Sequence, residues 1–386
     1  MLVDVDTSRT DHHRSPSFPL SEPLHCIASP AACSTAWRSV GYDEAMRERP
    51  KRVTLRDVAK ESGLSPAAVS YALRGLQVPV ETQERVRIVA GRLGYQVDPI
   101  ARALASGRTG YVGVLCGSLQ DIWQQHVAAA LGRELLEVGR HALIVDASNS
   151  PELEAELAAQ LVDQRVDALI VLWVDPGGRH WPEIARSTLL VSIGDGLPGA
   201  STVAEVVFDN DTGVAAALGQ LHSAGHRQVA VLTPSARNTP DRPAEIAVGR
   251  VANELGMQIR LHMSPHELDG AAAAATTALS ADPSPTAFFC LADSMAYGVY
   301  AAATRLGLRI PDDISVLGYD DHPVSQLLTP PLSNFRWPVD SLVTHAVERT
   351  VRAIDTNKRS RRRLLIPVAQ PRGSVGPPRD RGAQRR

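Results

Sequence analysis

TLRDVAKESGLSPAAVSYALRGLQVPVETQERVRIVAGRLGYQVDPIARALASG, residues 54–107, punctuates itself into three short helices and a fourth segment. Thr54 with Asp57 three residues on is a capping-box-like start, and Leu55, Val58 and Ala59 recur at helical spacing until Gly63. Only Leu64 separates that stop from Ser65–Pro66, an N-cap hydroxyl followed by a proline whose missing N–H costs nothing in a first turn. Two helices so tightly joined, the second turning Val69, Ala72 and Leu73 inward, have the spacing of a helix-turn-helix. Pro66, Ala67, Ser70 and Tyr71 are then left facing outward. Val86, Val89, Ala90 and Leu93 mark a third helix closed by Gly94, which completes a very small core.

Charge agrees with a surface that meets phosphate. Residues 51–110 hold ten Lys/Arg against five Asp/Glu, whereas the whole chain has a net charge of -2. The fourth segment, opened by Asp98–Pro99 and running to Gly107, has about two turns of helix, too few to be stable alone in water. It should order only against a partner.

The run RVTLRDVAKESGLSPAAVSYALRG, then ERVRIVAGRLGY, then PIARALASGRTGYVGVL resembles the start of a LacI/GalR-family repressor. In that family the segment after the third helix is a hinge helix that folds on operator DNA, and two of them from a dimer open the minor groove. Leu104 matches the family's wedge leucine, and Ala101 and Ala105 match the small residues that let two hinges approach. The resemblance thus implies a DNA-contacting set of Thr54, Ser65, Pro66, Ala67, Ser70, Tyr71, Arg74, Ala101, Leu104 and Ala105. Pro66 and Ala67 offer apolar contact to a thymine methyl, Tyr71 adds a hydroxyl, and Arg74 faces phosphate. Base reading from so apolar a helix leaves much of the specificity to hinge insertion and DNA deformability.

Beyond Gly110 the pattern changes to short apolar runs alternating with helical stretches. YVGVLC (111–116), HALIVD (141–146), VDALIVLW (166–173) and TLLVSI (188–193) read as buried parallel strands, with helices near 122–138 and 151–163. QVAVLT (228–233), TAFFCLA (286–292) and ISVLGYD (314–320) repeat the plan, with helices near 211–224, 243–255 and 293–306. The fold class expected is α/β: an N-terminal helix-turn-helix domain with hinge helix, then a two-lobed, periplasmic-binding-protein-like, doubly wound domain. FDNDTG (208–213), LHSAGHRQVAVL (221–232), PTAFFCLADSMAYGV (285–299), IPDDISVLGYDD (310–321), LTPPLSNFRWP (328–338) and RGS (372–374) are similar, in order, to further motifs of the same family.

These features divide the chain. Residues 1–50 are polar, proline-bearing and aperiodic and are expected to be disordered; a second reading has translation begin at Met46. The DNA-binding domain is placed at 51–97, the hinge at 98–109 and the ligand-binding, dimerising domain at 110–375. Within it the first lobe is expected at about 110–208 and 322–355, with a helix of about 338–355, the second at about 209–321 and 356–375, and a disordered tail at 376–386.

Ligands of open α/β sheets lie beyond the carboxyl ends of strands. Trp123, Arg242, Asp293, Asp320 and Trp337 are the candidate effector-binding residues there. Trp123 can stack on a sugar or base but reads equally as core, and Asp293 reads equally as a helix N-cap. Against the family pattern, the usual effector arginine falls on Ala244, two positions from Arg242. Its asparagine is Ala292, an aspartate after the first strand is Ser118, and the glutamine of the last crossover is Trp337. Four altered polar positions weaken a hexose inference.

The expectation is therefore a homodimeric DNA-binding transcription regulator, a repressor, acting on double-stranded operator DNA. A small-molecule effector, carbohydrate being one class, would control it. The rival is a small-molecule binding protein of the periplasmic kind without a regulatory role, and it should carry a signal peptide and no basic head. No serine or cysteine nucleophile with partners is recognisable, so no enzyme is expected. No cofactor is implied and no metal site: Cys26, Cys33, Cys116 and Cys290 are scattered, and His12, His13, His222 and His226 lack ligand spacing. There is no apolar run near 18 residues, so no membrane partner is expected, and a cytoplasmic, nucleoid-associated location follows. KRSRRR (358–363) reads as a solvated loop before the strand LLIPV.

Overall fold

The structure is a computed structural model that describes residues 53–96, 103, 106–234 and 242–379. The chain divides into two compact units, Met1–Gln96 and Val97–Arg386.

In the first unit, α1 (Leu55–Ser62), α2 (Pro66–Leu73) and α3 (Val80–Leu93) form where caps and stops dictate. The Thr54 N–H and hydroxyl both donate to Asp57 Oδ2, at 2.8 and 2.7 Å. Gly63 ends α1 at φ +67°, a left-handed turn that a Cβ would strain. Ser65 Oγ accepts from the Ala68 N–H at 3.2 Å to open α2. Val58, Ala59, Val69, Ala72, Val86 and Ala90 are the buried centre. Nothing larger than valine lies in it, so its margin of stability is small.

The second unit is built on two parallel sheets. β1 (Tyr111–Cys116), β2 (His141–Asp146), β3 (Ala168–Leu172), β4 (Leu190–Gly194) and β5 (Ala204–Phe208) join β11 (Arg363–Leu365) in the order β11-β5-β4-β3-β1-β2. β6 (Gln228–Pro234), β7 (Gln258–Ser264), β8 (Ala287–Cys290) and β9 (Ser315–Leu317) form the other, β7-β6-β8-β9. β3 is apolar and buried at every residue, as a central strand covered on both faces must be. Helices α4 (Ile122–Glu137), α5 (Pro151–Asp163) and α6 (Trp181–Ser187) belong to the first lobe. The second lobe holds α7 (Asn210–Ser223), α8 (Pro243–Leu255), α9 (Leu268–Leu279) and α10 (Asp293–Leu306). The chain returns through β10 (Asn334–Arg336), which pairs antiparallel with β12 (Val368–Gln370), and α11 (Val339–Thr356) packs on the first sheet.

Two lobe assignments differ from expectation. Residues 322–334, expected in the first lobe, stay with the second: Leu332 packs with Phe288 and Val316, and Ser333 bridges to Leu317. Conversely β11, expected in the second lobe, pairs with β5 on the first sheet (Arg363↔Val206, Leu365↔Phe208). The third crossing thus falls between β11 and β12. Residues 376–379, expected as a disordered tail, are bound: the Gly376 N–H donates to Ser315 Oγ at 3.0 Å, and Arg379 pairs with Asp313. His226 completes that clasp, with Nδ1 at 2.9 Å from Thr286 Oγ1 and Nε2 at 2.9 Å from the Gly376 carbonyl.

Candidate functional site

Two surfaces have chemistry to offer. On the first unit, α2 exposes Pro66, Ala67, Tyr71 and Arg74, with Ser70 half-buried, on the side opposite Val69 and Ala72. The Arg74 guanidinium lies over the Tyr71 ring, 5.5 Å from its centroid, so ring and cation present one surface. No carboxylate of the described residues lies within ion-pair distance of Arg56, Lys60, Arg74 or Arg85, whereas Arg87 pairs with Glu84. Thr54 and Ser65 are exposed but occupied as caps. Ala101, Leu104 and Ala105 lie outside the described residues.

The other surface is the cleft between the lobes, where rings form a chain. Trp123, at the start of α4, meets Trp173 at 5.7 Å and Phe208 at 5.5 Å between centroids. Phe208 meets Trp337 at 4.5 Å, and Trp337 meets Tyr319 at 5.3 Å. All but Trp173 are buried. This aromatic partition divides the cleft. On one side is an open cavity of about 400 Å³ whose lining includes Trp123, His126, Asp320, His322, Trp337 and Asp340. On the other is a narrow cavity lined by Trp173, Asp195, Asn210, Thr233, Arg242 and Tyr319, among others.

The five expected effector residues are therefore not gathered round one space. Trp123, Asp320 and Trp337 line the open cavity; Arg242, cap of α8, lines the narrow one. Asp293 lines neither. Its carboxylate accepts from Asn334 Nδ2 (2.8 Å to each oxygen), the His322 N–H (2.9 Å), the Tyr319 and Asp320 N–H groups (3.3 Å each) and the Ser325 hydroxyl. So fully engaged a group has nothing left for a ligand; it brackets 319–325 and β10 to the start of α10. The reading of Asp293 as an effector residue is corrected on this ground. Gly318 is required beside it, since a Cβ there would come within 2.4 Å of Asp293 Oδ1.

Trp173, Asp195, Asn210, Tyr319, His126 and His322 are cavity residues that sequence reasoning did not select, although Asn210 and Tyr319 lay inside quoted motifs. Several buried polar atoms here have no hydrogen-bond partner among the described residues: the indole N–H groups of Trp123 and Trp337, the Tyr319 hydroxyl, Arg242 Nε and Asn210 Oδ1. A buried polar atom left so costs about 1–3 kcal/mol, which marks where an added molecule gains most.

Burial pushes the Asp320 carboxyl well above the ordinary range, with Asp293 and then Asp121 adding repulsion. Asp293 has donors all round it, whereas the Asp320 side chain accepts only from the Asp293 N–H at 2.8 Å, so the proton of this coupled pair resides on Asp320. A raised carboxyl stabilises the fold below its unfolded value of about 4 and loses that contribution as pH rises through the folded value. Asp320→Asn, which keeps a neutral acceptor, is expected to remove this loss. In urea titrations taken upward from about pH 4, wild type should lose stability relative to the variant as pH rises; parallel pH profiles would show that Asp320 is not raised. Asp195 is also raised by burial, with Arg242 opposing the shift.

Among the described residues no group of His, Cys, Asp and Glu is arranged to hold a metal ion, and no helix is long and apolar enough to cross a membrane.

Comparison with known proteins brings these two surfaces together. Residues 218–375 match the family model described as a periplasmic binding protein-like domain. The chain is 26% identical over 293 residues to catabolite control protein A of Priestia megaterium, covering 74% of this chain and 88% of the relative. To the ribose operon repressor of Haemophilus influenzae it is 26% identical over 332 residues, 83% of this chain and 98% of the relative. Among solved structures, the lac repressor dimer bound to operator and the anti-inducer ONPF superposes with a TM-score of 0.73 at 24% identity, covering 84% of this chain and 100% of that one. Over 74% and 83% of its length the chain is thus similar to these two regulators, and it shares the fold of the lac repressor, in agreement with a resemblance to the LacI/GalR family.

Proposed function

We propose that this protein is a sequence-specific DNA-binding repressor that acts as a homodimer on an inverted-repeat operator, under control of a small molecule held between its lobes. The observation that carries the reading is the outward face of α2: Pro66, Ala67, Tyr71 and Arg74 stand exposed, without an acidic residue among them, on a unit whose excess charge is basic. An apolar edge with one hydroxyl and one guanidinium suits a thymine methyl, a base edge and a phosphate. Thr54 and Ser65 supply capped helix starts beside it. Ala101, Leu104 and Ala105 supply the hinge that enters the minor groove.

Control reaches the hinge through the first lobe. Arg108 pairs with Asp355 at the end of α11 at 2.9 Å, and Arg140 bridges Asp355 to Asp167 at 3.2 and 2.7 Å. Asp167 accepts from the Thr109 and Gly110 N–H groups at 2.7 and 3.0 Å. The linker is thereby clamped to the lobe, and a ligand that favours one lobe arrangement shifts DNA affinity by its differential affinity for the two arrangements. Similarity to a ribose operon repressor and to the lac repressor, whose dimer is bound to operator and the anti-inducer ONPF, supports a carbohydrate-class effector. Here an indole supplies a stacking face, and Asp320 and His322 supply partners for hydroxyls. Such a protein binds without turnover and works where the chromosome is, in the cytoplasm.

The test is binding of the full chain to a randomised inverted-repeat duplex library, followed by titration of the selected site. It should be preferred to random duplex by at least about a thousandfold at moderate salt. Leu104→Ala should weaken it by about tenfold or more without changing random-duplex binding, since the wedge acts only where a step can kink. Equal affinity for selected and random duplex would overturn the reading and leave a ligand-binding protein without a regulatory role.

A further inference from the structure

The cations of 358–363 are solvent-exposed, as expected of a loop before a strand, but the loop is fastened to the first lobe. Asn357 adopts a left-handed conformation at φ +54° and turns the chain back along α11. The Ser360 N–H then donates to the Val203 carbonyl at 2.8 Å, and Arg359 Nη2 donates to Ser201 Oγ at 2.6 Å, which fastens the loop to the residues leading into β5. A recess of about 510 Å³ results, lined by Glu348, Arg349 and Arg352 from α11 and by Arg359, Ser360 and Arg361 from the loop.

Four guanidinium groups thus face one carboxylate. Among the described residues none of the four has an ion-pair partner, while their neighbours Arg362 and Arg108 do. Two buried polar atoms of the lining, Arg349 Nε and Ser360 Oγ, have no hydrogen-bond partner among the described residues. His345, one turn before Arg349, has its pKa lowered by burial and then by Arg349 and Arg363, which registers the same local excess of positive charge. Like charges held together by backbone anchors repel one another at a cost that a bound anion would remove.

We propose that this recess on the first lobe is a binding site for a phosphoryl dianion, free or as the monoester of a small molecule. Planar guanidinium forks match tetrahedral oxyanions bidentately, a serine hydroxyl adds a directional donor, and the excess positive charge exceeds what a single carboxylate would neutralise. A half-open recess of this size has room for a small monoester. The site is separate from the interlobe cleft. It lies on the helix whose last turn holds Arg108, so occupancy bears on the segment that carries the linker.

Isothermal titration of the full chain at constant ionic strength tests this, with inorganic phosphate and phenyl phosphate as separate probes and chloride as the reference. Saturable binding of either probe is expected; binding of phenyl phosphate, or of inorganic phosphate only, tells the monoester from the free ion. Arg352→Gln and Arg361→Gln, both at exposed positions, should each weaken binding by about tenfold or more, as loss of a charged hydrogen bond does. Their unliganded melting temperatures should stay at the wild-type value. Absence of saturable binding of both probes, or wild-type affinity in both variants, would overturn the site. A drop in operator affinity with phosphate binding unchanged would assign the recess to the DNA backbone instead and overturn it equally.

Discussion

Val69→Asp is expected to abolish operator binding while the two-lobed unit melts as in wild type. Val69 has no exposed surface and packs with Val58, Ala59, Ala72, Val86 and Ala90, which are the whole buried centre of the three-helix unit. A unit of this size is stable by only a few kcal/mol. Burying an unpaired carboxylate in so small a core costs several kcal/mol, since none of the six residues offers it a donor. The balance changes sign, α2 loses its support, and the face carrying Tyr71 and Arg74 is no longer presented. Fluorescence anisotropy with operator duplex should show loss of specific binding of about a thousandfold. Calorimetry should show the transition of the larger unit unmoved. Retained specific binding would mean that α2 is not the reading element.

The second large effect lies in the other unit. Asp293→Ala is expected to destabilise it by about 3–5 kcal/mol, the range found when one member of a buried charged network is removed. The Asn334 amide, the Ser325 hydroxyl and the backbone N–H groups of Tyr319 and His322 would lose this acceptor in a buried place, while the Asp320 N–H would keep only Asn334 Oδ1. Asp293→Asn should be milder, because an amide oxygen still serves some of those donors, although its NH2 faces the Asn334 amide. Urea denaturation monitored on tryptophan measures both. A loss below about 1 kcal/mol, together with loss of effector response, would return Asp293 to the ligand-contacting role that its motif suggested.

That contrast shows where sequence reasoning ran out. The helices of the first unit were legible because every signal was local: Thr54 and Asp57, Gly63, Ser65 and Pro66 act on amides within four residues of themselves. The central strands β1, β3 and β8 were legible because a strand covered on both faces must be apolar throughout. β7 was missed because QIRLHMS lies at a sheet edge and mixes polar with apolar residues; α9 was missed because LDGAAAAATTAL buries a face made of alanine, which has no periodic bulk. Aspartate before a helix announces a cap, and nothing beside Asp293 in the chain reveals that Asn334 will reach it from 41 residues away.

Chain order and residue type, then, determined the head, its outward face, the alternation that makes two lobes, and the altered polar positions of the cleft. Tertiary structure alone decided which lobe owns 322–334 and β11, that Trp337 joins an aromatic partition between two cavities, that Asp293 is consumed in a bracket, and that 358–363 borders a recess. The reason is range: caps, turns and apolar runs are settled by neighbours in sequence, whereas a cavity's shape and a buried group's partners are set by segments that meet only when the chain crosses between lobes.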